Sequence, residues 1–168
     1  MQKLIPGIES EKRVELLLEL TDITSSGIKS AMVNHLTLGH PVETSALLSK
    51  VEPSNVSRGL ASLNEVAEIV EKIKEHDWNK IKYHLSDMDT HWMLMFQLTK
   101  LTSEKVKLAA IYHLASGISI SEAARMHDVK QPNVSRAISA VKKVSDKVEQ
   151  IKEHDWTMIK YHAGDIYK

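Results

Sequence analysis

Asn133-Val134-Ser135-Arg136 repeats Asn55-Val56-Ser57-Arg58 residue for residue, 78 positions further along the chain. Extending that offset without a gap pairs Leu16-Leu20-Thr21 with Leu94-Leu98-Thr99, and His35-Leu36-Gly39 with His113-Leu114-Gly117. It also pairs Ile73-Lys74-Glu75-His76-Asp77-Trp78 with Ile151-Lys152-Glu153-His154-Asp155-Trp156, and Ile81-Lys82-Tyr83-His84 with Ile159-Lys160-Tyr161-His162. Of the 69 aligned positions from Leu16 to His84, 29 are identical. The 168-residue chain is therefore a tandem duplication, with one unit expected over 1-86 and the other over 91-168. Units this small gain from packing against a twin or another chain.

Apolar spacing predicts helices throughout. Val14, Leu17 and Leu18 mark a first amphipathic helix within Glu9 to Leu20. Thr24 and Ser25 offer caps for a second helix that Gly39 ends, and Pro41 suits the first turn of a third. From Pro53, the residues Val56, Leu60, Leu63, Ala67 and Val70 step by four and three, which predicts one long helix, or two abutting ones, to about Leu85. Ser86-Asp87-Met88-Asp89-Thr90 reads as the junction, and the second unit replays the order through about His162. No stretch alternates as a strand does, so the expected class is all-α: two tandem helix-turn-helix units, each with a long C-terminal helix.

The repeated core carries the functional reading. Ser119 and Glu122 form a capping box ahead of Ala123 and Ala124, where small side chains let a second helix approach. Val129 is placed to fill the turn, and Val134 with Ile138 to anchor the next helix. Lys130, Gln131, Asn133, Ser135, Arg136 and Ser139 are left facing outward, and such side chains hydrogen-bond to base edges and phosphates. In the first unit Ala46, Lys50, Val51, Val56 and Leu60 take the anchoring positions, with Glu52, Ser54, Asn55, Ser57 and Arg58 outward. Glu52 stands where the second unit has Lys130, so the first unit is the weaker reader of a polyanion. The expected partner is double-stranded DNA, with two adjacent sites about one helical turn apart.

Thr102 through Val106, Gly117, Ser121-Glu122-Ala123-Ala124 and the Pro132 to Ala140 helix resemble the helix-turn-helix of the PapB-type adhesin (fimbrial) transcriptional regulators. The module is also similar to that of the KorA (TrfB) plasmid repressors. The resemblance covers about sixty residues of each unit. It implies a bacterial transcriptional regulator, acting as a repressor or autoregulator, whose exposed helix enters DNA and whose downstream helix helps assemble protomers. Members of these families are usually single modules, whereas this chain carries two.

Composition bounds the alternatives. Apolar residues make up 42% and charged residues 26%, as in a soluble globular chain. Net charge is zero, yet residues 1–91 carry 10 Lys+Arg against 14 Asp+Glu, and residues 92–168 carry 12 against 8. The second half is the better candidate for meeting a polyanion. Absence of cysteine fits a reducing cytoplasm, and no apolar run suggests a membrane span. No phosphate-cradling loop or nucleophile elbow is present, so neither catalysis nor a cofactor is expected. The duplicated His76, Asp77 and His84, with His154, Asp155 and His162, raise a metal site. Histidines eight apart on a helix lie two turns from each other, so a duplicated packing surface, with Trp78 and Tyr83 filling gaps, is the expected reading. Met93, Met95, Met126 and Met158 are expected in the core, and His35 and His113 are expected as hydrogen-bonded core or boundary residues rather than ligands. The run Val134, Ile138, Val141, Ser145 and Val148 suits either a seam between chains or the inner stripe of a bundle. A helical protein-assembly module, a homo-oligomer through the long helices without specific DNA binding, is the competing function.

Overall fold

The computed structural model describes the backbone of residues 4–83 and 88–166, and the side chains of 4–80 and 89–159. The chain is all-α, with eight helices among the described residues: α1 Glu11–Leu18, α2 Ser26–Leu38, α3 Val42–Leu48, α4 Pro53–Tyr83, α5 Met88–Gln97, α6 Glu104–Ser116, α7 Ile120–Met126 and α8 Gln131–Ile166. Each long segment forms one unbroken helix. His84, Leu85, Ser86 and Asp87 lie outside the described residues, whereas the rest of the expected junction, Met88 to Thr90, is the start of α5.

The 78-residue offset holds in the local chemistry. Helices α2 and α6 are both 13 residues long and end at Gly39 and Gly117, whose φ values of 72° and 73° place them in the left-handed region. Glycine enters that region without a Cβ penalty, so both helices stop at the same position. Just past these stops, His35 Nδ1–H donates to the His40 carbonyl at 2.7 Å, and His113 Nδ1–H to that of Ile118 at 2.5 Å. Both histidines are thus hydrogen-bonded, as expected, and of the core and boundary positions open to them they take the half-buried boundary. Ser119 caps α7, its hydroxyl accepting from the Glu122 N–H at 3.2 Å. Ser119→Ala is expected to cost about 0.5 to 2 kcal/mol, seen as a lowered melting temperature.

The chain divides into two compact units, Met1–Glu68 with Lys147–Lys168, and Ile69–Asp146. Helix α4 therefore gives its first half to the first unit and its second half to the second, and α8 does the reverse. In the first unit α2 packs against α1 and α3, over a core that includes Val14, Leu16, Leu17, Met32 and Leu36. Gly59 brings α4 close to α2: a Cβ there would lie 2.8 Å from Met32 Sδ. In the second unit α6 packs against α5 and α7, over Met95, Phe96, Ala109 and Ala110. The positions equivalent to Met32 and Gly59 are Ala110 and Ala137, both fully buried.

The stripe on α8 is an inner one. Val134, Val141 and Val148 are fully buried and Ile138 nearly so, and on α4 Val56, Leu63, Val70 and Ile73 are fully buried. Other expectations need correction. Trp78 and Trp156 do not fill gaps, being 58% and 56% exposed, because their helical phase turns them away from the stripe that carries Ile73 and Ile151. Of the four methionines expected in the core, Met95 is buried, whereas Met93, Met126 and Met158 are exposed.

Candidate nucleic-acid interface

Two short helices each enter a long one through the same four-residue turn. In the second repeat Ala124 N-terminal to the turn is buried, and its carbonyl accepts from the Val129 N–H at 3.0 Å. Asp128 sits at φ 52°, and the Lys130 carbonyl opens α8 by accepting from Asn133 and Val134 N–H at 2.9 and 3.4 Å. In the first repeat the Ala46 carbonyl accepts from Val51 N–H at 3.0 Å, Lys50 sits at φ 53°, and Glu52 accepts from Asn55 and Val56 N–H at 3.0 and 3.4 Å. A non-glycine residue in the left-handed region costs about 1 to 3 kcal/mol, so a turn that keeps one in both copies is over-determined by the packing around it. Lys50 is not an anchor as its spacing suggested; it is an exposed turn residue, as is Asp128.

The start of each long helix is held by its inner face. On α8, Val134 and Ala137 are fully buried and Ile138 is 6% exposed. That fixes the helical phase and leaves Lys130, Gln131, Asn133, Arg136 and Ser139 exposed. Among the described residues, the side chains of Lys130 and Arg136 have no protein partner. Ser135 is different: it is half-buried, and its hydroxyl donates to the Gln131 carbonyl at 3.2 Å. On α4, Val56 is buried, Ser54, Ser57 and Arg58 are exposed, and Asn55 is half-buried. Arg58 Nη2 donates to Asn55 Oδ1, so these two side chains engage each other.

Three further basic residues belong with the second set. Arg125 in the last turn of α7 is exposed, as are Lys142 and Lys143 on α8. Lys143 is seven residues beyond Arg136, two turns along the same face. The sequence signal was available in that spacing and in the charge surplus of the second half. The first repeat has Leu47, Glu52, Asn64 and Glu65 where the second has Arg125, Lys130, Lys142 and Lys143; only Arg58 matches Arg136. Leu47 and Leu48 are 79% and 60% exposed, so α3 offers an apolar outer face where α7 offers Arg125 and Met126. An open depression of about 480 Å³ lies beside it, lined by Ser25, Ile28, Leu47, Lys50, Glu52 and Asn55 among others. By sequence the second compact unit carries 12 Lys+Arg against 9 Asp+Glu, and the first 10 against 13.

The duplicated His-Asp pairs make protein contacts. His154 Nε2 lies 2.7 Å from Ser10 Oγ, and Asp155 Oδ1 accepts from Arg13 Nε at 3.0 Å. Asp77 Oδ1 lies 2.8 Å from His91 Nδ1. Among the described residues no three His, Asp or Glu side chains gather as a metal site would require, while His84 and the side chains of His162 and Tyr83 lie outside those described. No helix among the described residues is long and apolar enough to cross a membrane. Compared with known proteins, the chain matches no family model, no curated sequence and no solved structure.

Proposed function

We propose that this protein is a sequence-specific double-stranded DNA-binding transcriptional regulator, a repressor or autoregulator, with the second repeat as its principal reader. One observation carries the reading: Gln131, Asn133, Arg136 and Ser139 lie on the exposed face of a helix whose phase is fixed by buried Val134, Ala137 and Ile138, with exposed Lys130 at the end of the turn before it. Around that face, Arg125, Lys142 and Lys143 supply charge for phosphates. Asn and Gln suit adenine, and Arg suits guanine, through paired hydrogen bonds in the major groove. The resemblance to PapB-type and KorA regulators supports the same reading, and the setting proposed with it is the cytoplasm. The first repeat, with Glu52 in place of a lysine, contributes less to binding. Repression would follow from occupying promoter DNA. No catalytic role is part of this proposal.

Selection of bound duplexes from a random pool tests it. A recovered sequence motif is the expected result, and recovery without sequence preference would overturn it. With the recovered duplex, Lys142→Ala combined with Lys143→Ala should lower the slope of log affinity against log salt by about 1.8 if both meet phosphate. Affinity measured by fluorescence anisotropy across a salt series reads that slope directly.

A second reading has its own support. Leu47 and Leu48 are exposed on the acidic first repeat, which suits a helical assembly module acting through protein contacts. Sedimentation with and without duplex separates the two, because assembly alone would ignore both DNA and its salt dependence.

A further inference from the structure

The segment that both repeats keep best is the one farthest from the turns. From Ile73 to His84, 10 of 12 positions match their counterparts, against 19 of 57 from Leu16 to Lys72. Exposed Trp78 and Trp156 show that burial alone does not account for that identity. What the matched residues share is a destination. Asp155 of the second repeat pairs with Arg13 on α1 of the first repeat. Asp77 of the first repeat pairs with His91 on α5 of the second. Arg13 and His91 are themselves 78 residues apart, so each closing aspartate holds the same position on the other repeat's first helix. Neighbouring contacts run the same way: His154 meets Ser10, Lys147 forms an ion pair with Glu19, and the His76 ring lies 6.2 Å from that of His91. Val70, Ile73, Val148 and Ile151, which precede the aspartates, are fully buried.

Each repeat therefore ends in a tail that completes the other repeat's compact unit. What pairs is a first repeat with a second repeat, and nothing in those contacts requires the two to share a chain. We infer that a second copy of this protein can supply either partner. The first repeat of one copy closes on the second repeat of another, and the reverse, giving a swapped dimer held by the contacts that close the monomer. A short covalent connection gives the partner within one chain an effective concentration in the millimolar range. The monomer therefore dominates in dilute solution, and exchange follows unfolding and refolding at high protein concentration.

Two full-length variants test this. Arg13→Asp puts like charge opposite Asp155 and beside Glu9, the other acid that Arg13 pairs with at 2.7 Å. Asp155→Arg puts like charge opposite Arg13. Each variant alone mismatches its own pair, but in a dimer exchanged between the two variants both pairs are again of opposite sign. The variants, one carrying an affinity tag, are unfolded together in urea, refolded and separated by size. The expected result is a mixed dimer several-fold more abundant than any dimer from either variant alone, with the combined Arg13→Asp/Asp155→Arg chain returning to monomer. Recovery of two unmixed monomers would overturn the inference. Should either variant fail to refold alone, tagged and untagged wild-type chains refolded together at high concentration give the second readout. A mixed dimer that persists on dilution supports exchange, and its absence counts against it.

Discussion

Replacing Ile151 with Ala is expected to destabilise the chain by about 2 to 5 kcal/mol, the range for truncating a fully buried aliphatic side chain. Ile151 has no exposed surface, and it sits on the part of α8 that belongs with α1 to α3 and the first half of α4. Removing its outer atoms forfeits their transfer from water and leaves a space that α8 cannot close without shifting the neighbouring Arg13–Asp155 pair. Trp156 gives the contrast. It is also identical between the repeats, yet it is 56% exposed, so Trp156→Ala should cost about 1 kcal/mol or less. Urea unfolding measures both, and a fall in midpoint at unchanged slope reports lost stability. Equal effects at the two positions would mean that the tail is not seated as described.

The second large effect concerns recognition. Arg136→Ala should weaken binding to the selected duplex by about 1 to 3 kcal/mol, roughly 5- to 150-fold, if the guanidinium reaches a base. Binding to unrelated duplexes should change far less, because a base contact is lost rather than general charge. Arg58→Ala should weaken specific binding by a smaller factor. Arg58 already donates to Asn55, and it stands on the repeat with Glu52, Asn64 and Glu65 in place of lysines. Titration of both variants against the same duplex compares them. An unchanged affinity for Arg136→Ala would remove it from the set of readers, and equal losses at the two arginines would show that both repeats read alike.

Most of the local structure was legible because its determinants are local. Ser25, Ser119, Gly39 and Gly117 bound the helices where caps and stops were expected. The apolar spacing of Val134, Ile138 and Val141 identified the inner face of α8, and by subtraction the exposed one. Arg125, Lys142 and Lys143 were passed over because they fall outside the turn motif, and only one unbroken α8 puts Lys143 on the face of Arg136. The destination of the tails was not legible. Periodicity says that Ile73 and Ile151 are covered, but it carries no information about which helix covers them. For the same reason the His-Asp duplication suggested a shared surface without revealing that each copy meets the other repeat.

The close approach at Gly59 limits how the two copies can trade parts. A Cβ at that position would stand 2.8 Å from Met32 Sδ, whereas the other copy has alanine at both corresponding places, 110 and 137. A chimera that grafts the start of α8 onto the first repeat would therefore press an alanine Cβ against the Met32 thioether, which must shift or be replaced. At this crossing the two repeats therefore fill the same place with different side chains, Met32 with Gly59 in one and alanine at both positions in the other.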